Sequence, residues 1–457
     1  MSDLSQELQL MEDADRRARA YTAGIGGRPV FPTAEALRNL ATFDEPLPDL
    51  GGPASETLRL LDRYGTPATV ETNGGRYFGF VTGAALPAAA AAERLVLAWD
   101  NAGLAHVTSP AAAKIEAVAA RWVLEALDLP RAAGVGFTTS AGAGTLIALA
   151  TARRALLQRH GWNVDEHGVT GAPQIRVVAS ELAHVVITKA LRVLGFGTAQ
   201  VFLAPTDAFG RVDPAKLPPI DDKTIVVLQA GEVNTGEFDP FAAIIPAARA
   251  AGAWVHVDGA FGLWARASPR YRHLTDGVEQ ADSWTVDGHK WLNTPYDSAM
   301  VVLADRGRLA ETMNSDAAYS TTSADSQKNL TLEFSRRPRG IVVWAALRTL
   351  GRDGVADLIE HTIAMAADIA EGLREAGYTV LGRGVINQII ARADNPEETA
   401  RIVAAAQASG RTWFGASTWR GEPVMRISVS SWRTTPADVA DLVDLLRGLK
   451  VQCSATT

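Results

Sequence analysis

Between residues 134 and 303, short apolar runs alternate with stretches of helical periodicity, and this alternation constrains the fold more than any other feature of the chain. Residues 134–139, 174–179, 200–203, 224–229, 253–257 and 299–303 read as strands, and residues 145–158, 181–194 and 240–251 as helices. A hairpin turn joins antiparallel strands, whereas helical crossovers of this length join parallel ones. The spacing therefore predicts an α/β domain on a mostly parallel sheet covered on both faces.

The flanks differ. After a first helical stretch, residues 1–80 are rich in turn signals (Pro29, Pro32, Pro46, Pro48, Gly51-Gly52-Pro53) and read as an arm packing on a larger body, the α/β domain at 81–345. Residues 346–457 carry a long helical stretch at 357–376 and short strands at 385–391 and 425–429, the pattern of a smaller α+β domain. Residues 315–328 are polar and aperiodic and read as a mobile loop. A net charge of −7 argues against a nucleic-acid partner, which needs a basic face. The first twenty residues hold no secretory apolar segment, and the Ala-rich stretch 84–99 is interrupted by Pro87, Glu93 and Arg94. The expectation is a cytoplasmic protein without a membrane span. With Cys453 the only cysteine, neither an internal disulfide nor a cysteine-based metal site is open to it.

Of 44 basic residues only seven are lysine, at 114, 189, 216, 223, 290, 328 and 450. Where charge alone suffices this chain mostly uses arginine, so a lysine in an apolar setting invites a chemical reading, because lysine can lose its proton and act as a nucleophile. Lys290 sits in Asp287-Gly288-His289-Lys290-Trp291, just after a strand. His256-Val257-Asp258 closes another strand and places Asp258 at its carboxyl end, where α/β sheets bind ligands. His256 and Asp258 share a side, but no third ligand stands at useful spacing, so no metal site is expected. Ser140-Ala141-Gly142-Ala143-Gly144-Thr145 lies between a strand and a helix, and its small residues let backbone N–H groups approach a phosphate. By itself that run is equally a tight strand-to-helix turn.

Cradle, His184, Asp258 and Lys290, in that order, make a more specific pattern. Together with FGFVTGAALP (78–87), SPAAAKIE (109–116), TTSAGAGTLIAL, SELAHVVITKALRVLG, GEVNTGEFDP, HVDGAFGLWA, ADSWTVDGHKWLNTPYDS and MRISVSSWRTT, it resembles the group II pyridoxal-phosphate-dependent amino-acid decarboxylases over most of the chain, from about Tyr77 to Arg433. The resemblance implies fold type I, an intertwined homodimer, pyridoxal phosphate as cofactor and an L-amino acid as substrate. It implies that Lys290 forms the internal aldimine, that Asp258 pairs with the pyridine nitrogen and that His184 stacks on the ring. Ala141, Gly142, Asp287 and His289 would hold the phosphate, and Thr82 would contact the substrate carboxylate. The reaction would be decarboxylation through an external aldimine and a quinonoid.

Two departures from the family pattern leave alternatives open. The family carries a loop Tyr as proton donor; Leu330 falls about where it would stand, with Tyr319 eleven residues earlier. Without that donor the relatives divert the intermediate to dioxygen, giving decarboxylation-coupled oxidative deamination to an aldehyde; β-elimination on an S-substituted cysteine is a further possibility. His106 lies where the family lines the side-chain pocket and reads either as a contact to a polar substrate or as a solvent-facing residue. A silent regulatory homologue is disfavoured, since Lys290, Asp258 and His184 are all present.

Overall fold

The computed structural model describes residues 4–314 and 326–454. Contacts divide them into two compact units. The larger comprises the described residues of 83–367 and 381–389, the smaller those of 4–82, 368–380 and 390–454.

The larger unit is built on seven strands: β1 (Gly134–Thr138), β2 (Arg176–Ser180), β3 (Val201–Ala204), β4 (Thr224–Gln229), β5 (Trp254–Asp258), β6 (Ser283–Asp287) and β7 (Ala299–Leu303). Their order is β1-β7-β6-β5-β4-β2-β3. β3, β2, β4, β5 and β6 run parallel, and β7 pairs antiparallel with both β6 and β1. Every residue of β1, β4, β5, β6 and β7 is buried; β4 and β7 are accordingly apolar on both faces over most of their length, whereas β5 and β6 put buried polar side chains at alternate positions, His256 and Asp258 on one and Ser283, Thr285 and Asp287 on the other. The longer helices are α1 (Leu4–Ala23), α2 (Pro87–Trp99), α3 (Pro110–Ala126), α4 (Ala141–Arg159), α5 (Val185–Val193), α6 (Phe241–Ala250), α7 (Gly340–Glu375), α8 (Pro396–Ala408) and α9 (Pro436–Ser454). α4 packs Ile147, Leu149 and Leu156 into a core shared with Val177, Ile225 and Val301, each such buried side chain contributing about 1.5–3 kcal/mol. Gly144 makes the close approach possible: a Cβ there would lie 2.9 Å from Thr285 Cγ2.

Helix starts depart from the sequence pattern. α4 begins at Ala141, four residues before the periodicity does, because Ser140 Oγ accepts the Ala143 N–H at 3.2 Å and caps it. α5 begins only at Val185, with His184 as its cap. α7 starts well before residue 357 and breaks at Gly351, whose φ of 65° no other residue adopts as freely. Of the polar stretch expected as a loop, Gln327–Asn329 is a 3₁₀ turn with Lys328 and Asn329 buried, while residues 315–325, Tyr319 among them, lie outside the described residues.

In the smaller unit the chain near residue 80 is fixed by Trp413, whose carbonyl takes the Phe78 N–H at 2.7 Å and whose ring stacks on Tyr77 and Phe80 at 5.1 and 5.5 Å. A second sheet has the order β10-β11-β9-β8, with β8 at Thr379–Leu381, β9 at Gln388–Arg392, and β10 (Gly415–Trp419) antiparallel to β11 (Glu422–Ser428). No helix among the described residues is long and apolar enough to cross a membrane.

Candidate active site

Parallel strands end together, and β5 and β6 deliver their last residues, Asp258 and Asp287, to one edge of the sheet. The turn after β6 is held by its backbone. Asp287 N–H donates to Ala260 O at 2.8 Å, and Gly288 and His289 N–H both donate to Ser298 O, at 2.9 and 3.1 Å. Trp264 Nε1–H grips the Asp287 carbonyl at 2.9 Å, and Trp291 Nε1–H reaches Thr362 Oγ1 at 2.7 Å. Gly83 presses on the same turn: its N–H donates to His289 O at 3.3 Å, and a Cβ on it would strike the Lys290 carbonyl. Lys290 thus leaves a fixed stem, its side chain about one-fifth exposed, with Nζ 3.1 Å from Asp287 Oδ2.

The electrostatics tie four residues together. Burial pushes the Asp258 carboxyl up from its ordinary range, while the positive charges of Lys290 and His184 pull it back and Asp287 adds to the rise. Ala260 N–H donates to Asp258 Oδ1 at 3.2 Å. His289 Nδ1 accepts the Ser298 N–H at 3.2 Å, which leaves the proton on Nε2, 3.6 Å from Asp287 Oδ1. Burial lowers the His289 pKa, so this ring is a neutral donor. Tyr296 stacks on it at 4.3 Å.

The anion cradle is the first turn of α4. Ala141 N–H donates to Asp287 Oδ1 at 2.6 Å and Ala143 N–H is taken by Ser140, while the Gly142 N–H has no partner among the described residues. Gly142 faces Val186 at the head of α5, where His184 Nδ1 accepts the Val186 N–H at 3.4 Å. Sequence reasoning placed His184 on a helix; it stands one residue before it, with its ring half-buried.

Lys290, Asp258, His184, Asp287, His289, Ala141 and Gly142 are therefore brought to one edge of the larger unit. Thr82 ends the smaller unit, buried, its N–H on Gly79 O at 3.0 Å, directly after two left-handed residues, Phe80 (φ 54°) and Val81 (φ 59°). His106 is exposed on the turn before α3. Leu330 is a core residue: it is 8% exposed, clusters with Val301 and Leu309, and its carbonyl is where a Cβ on Gly136 would fall. Leu330 follows directly on the 3₁₀ turn at Gln327–Asn329 and carries no group that can donate a proton. His256, considered above with Asp258 for a metal pair, bonds Ser283 Oγ through Nδ1 at 3.0 Å, and burial lowers its pKa to about 3.

Three contributors escaped the sequence reading. Ser140 was legible as a Ser ahead of a helix. Tyr296 carried no signal. Gln229 is a lone amide ending an apolar run, and its buried Nε2 has no partner among the described residues.

An amine on a fixed stem, a buried carboxylate beside it, a histidine ring and a helix terminus with an open N–H suit a ligand bearing an aldehyde, a basic ring nitrogen and a phosphate. Pyridoxal phosphate has these three groups, and the residues present fit it. A family model described as "Pyridoxal-dependent decarboxylase conserved domain" matches residues 70–382, more than half of the chain. The chain is 29% identical to tryptophan decarboxylase 1 of Oryza sativa subsp. japonica over 76% of its own length and 72% of the relative's. To phenylacetaldehyde synthase of Arabidopsis thaliana it is 26% identical, over 71% and 70%. Among solved structures, Oryza sativa TDC with PLP and tryptamine superposes with a TM-score of 0.91 over 99% of each chain at 23% identity, a likeness of fold.

Proposed function

From the premise that the chain belongs to the pyridoxal-dependent decarboxylases and is a pyridoxal-phosphate-dependent carboxy-lyase, we propose that it removes the carboxylate of an aromatic L-amino acid and releases the amine. The observation that carries this reading is the placement of Asp258 at the end of β5 and Lys290 just after the neighbouring parallel strand β6, with His184 at the head of the helix that follows β2. The aromatic side chain is supported by the relatives, among them enzymes named for tryptophan and aromatic L-amino acids.

When bound, pyridoxal phosphate supplies an electron sink for the pair left behind as the bond to the carboxylate breaks. Lys290 Nζ would supply the amine that holds the cofactor's aldehyde carbon, with Asp287 Oδ2 3.1 Å away as an acceptor beside it. Asp258, pushed up by burial and pulled back by the positive charges of Lys290 and His184, would pair with the ring nitrogen and hold a proton there. His184, fixed at the head of α5, covers the ring. Gly142 N–H and His289 Nε2–H donate to the phosphate. Thr82 is assigned to the substrate carboxylate and His106 to the rim of the side-chain pocket. The working form is a cytoplasmic homodimer, for which the apolar side chains of Leu47 (93% exposed), Leu50 (85%) and Val107 (80%) are available as contact surface.

A second reading, favoured by the likeness to phenylacetaldehyde synthase, is that after carbon dioxide leaves, dioxygen takes up two electrons and two protons and departs as hydrogen peroxide, while water releases an aldehyde and ammonia in place of the amine. Product analysis by mass spectrometry in air with tryptophan, tyrosine, phenylalanine and dihydroxyphenylalanine decides between them. Amine with carbon dioxide supports the first reading. Aldehyde, ammonia and oxygen uptake support the second. Turnover of none of these substrates, or undiminished turnover by Lys290→Ala, overturns both.

A further inference from the structure

β4 reads Thr-Ile-Val-Val-Leu-Gln and is buried throughout, so its last residue puts a primary amide where the strand otherwise puts hydrocarbon. Gln229 is 3% exposed. Its backbone is doubly fixed by Asp239, which accepts the Gln229 N–H on Oδ2 at 2.7 Å and donates its own N–H to the Gln229 carbonyl at 3.1 Å. Gln229 Nε2 has no hydrogen-bond partner among the described residues. A buried donor left unpaired costs about 1–3 kcal/mol, and a hydrocarbon side chain at the same place would cost nothing of the kind.

The register says what this donor faces. Gln229 pairs with Asp258 across β4 and β5, so the two side chains leave the same face of the sheet one strand apart, about 4.8 Å. Both stand at the carboxyl ends of parallel strands, where ligands of α/β sheets lie. Across the sheet, the phosphate cradle follows β1, Lys290 follows β6, Asp258 ends β5 and Gln229 ends β4. On the pyridoxal ring the phosphate arm and the hydroxyl occupy opposite sides of the line from the aldehyde carbon to the nitrogen. With the phosphate on the β1 side and the nitrogen at Asp258, the hydroxyl edge falls on the β4 side.

We propose that Gln229 is a cofactor-binding residue of this chain, its carboxamide N–H donating to the ring hydroxyl oxygen of pyridoxal phosphate. This rests on the cofactor reading given above. A donor at that oxygen stabilises its anionic form and so weakens its hold on the proton of the neighbouring lysine-derived nitrogen. Gln229 therefore tunes the pH at which the bound cofactor changes colour as well as the strength of binding.

The test uses Gln229→Met and Gln229→Glu, both of which keep the length of the side chain. Two quantities are read: the dissociation constant for pyridoxal phosphate and the pH midpoint of its visible absorption when bound. Q229M is expected to bind the cofactor about tenfold more weakly, to bind the analogue lacking the ring hydroxyl as the unaltered protein does, and to titrate at higher pH. Q229E is expected to move the midpoint further in the same direction, because it faces the oxygen with an acceptor. An unchanged dissociation constant and midpoint in both variants would overturn the proposal. So would an equal loss toward cofactor and analogue, which marks support of the strand end only. If the unaltered protein does not bind pyridoxal phosphate, the cofactor reading itself fails.

Discussion

Lys290 and Asp287 form an ion pair whose second carboxylate oxygen is spent on the helix behind it: Nζ lies 3.1 Å from Oδ2, while Oδ1 takes the Ala141 N–H at 2.6 Å. One carboxylate thus links the amine of the proposed cofactor site to the first turn of its phosphate cradle. It also puts a negative charge where a phosphate has to come.

Replacing Asp287 by Asn tests that placement. The amide still accepts from Ala141 but carries no charge, and Lys290 needs no counter-ion once its nitrogen is joined to the cofactor. Asp287→Asn is expected to bind pyridoxal phosphate about three- to tenfold more tightly, the worth of relieving a partly screened repulsion of roughly 1 kcal/mol. Equilibrium dialysis reads this, and weaker binding would show that the carboxylate itself helps hold the cofactor.

Leu330→Tyr distinguishes a core residue from a loop residue. Adding a phenol between Val301, Leu309 and the backbone near Gly136 overpacks the core and is expected to cost about 1–3 kcal/mol. The thermal midpoint should fall while the ratio of amine to aldehyde stays as it was. A product ratio that swings toward amine would put position 330 in the site after all.

Arg336 and Glu116 form a pair with almost no exposure, bonded twice at 2.9 and 2.6 Å, and Glu116 also takes the Gly340 N–H at 2.9 Å. Arg336→Met strands a carboxylate in the interior and is expected to cost about 3–5 kcal/mol in urea unfolding. The double variant Arg336→Met with Glu116→Gln should recover part of that loss. Additive losses would mean that the two charges do not depend on each other.

Asp239, behind Gln229, gives a signature in pH. Burial raises its pKa to about 7, against the pull of the Val212 and Gln229 N–H groups and with Glu232 and Asp207 adding to the rise. A carboxyl whose pKa is higher folded than unfolded contributes stability that is complete below about pH 4 and is lost as pH climbs through about 7. The unaltered protein should therefore lose stability relative to Asp239→Asn between about pH 4 and pH 8, by on the order of 4 kcal/mol at most. A constant gap between the two denaturation series would contradict this.

The sheet was legible because a strand buried on both faces favours apolar residues along most of its length, and 224–229 and 299–303 are strands over those same residues. Lys290 and Asp258 stood out by local composition, a rare lysine and a charge ending an apolar run, whereas His184 gained its role only from the family resemblance. Helix starts were less so. Small residues at 141–144 carry no periodicity, and only the cap at Ser140 decides that they are helical.

What the sequence by itself determined is what depends on neighbours along the chain: the order of strands and helices, and the kinds of side chain placed at strand ends. Tertiary structure alone decided what depends on neighbours across it. The meeting of Asp287 with Ala141, 146 residues apart, is one such case, and the burial of Leu330 against β1 is another. The pairing of Gln229 with Asp258 is a third, set by the β4–β5 register. A linear pattern fixes which residues are apolar or charged, but close packing selects which of them touch, and the electrostatics of a site follow from contact.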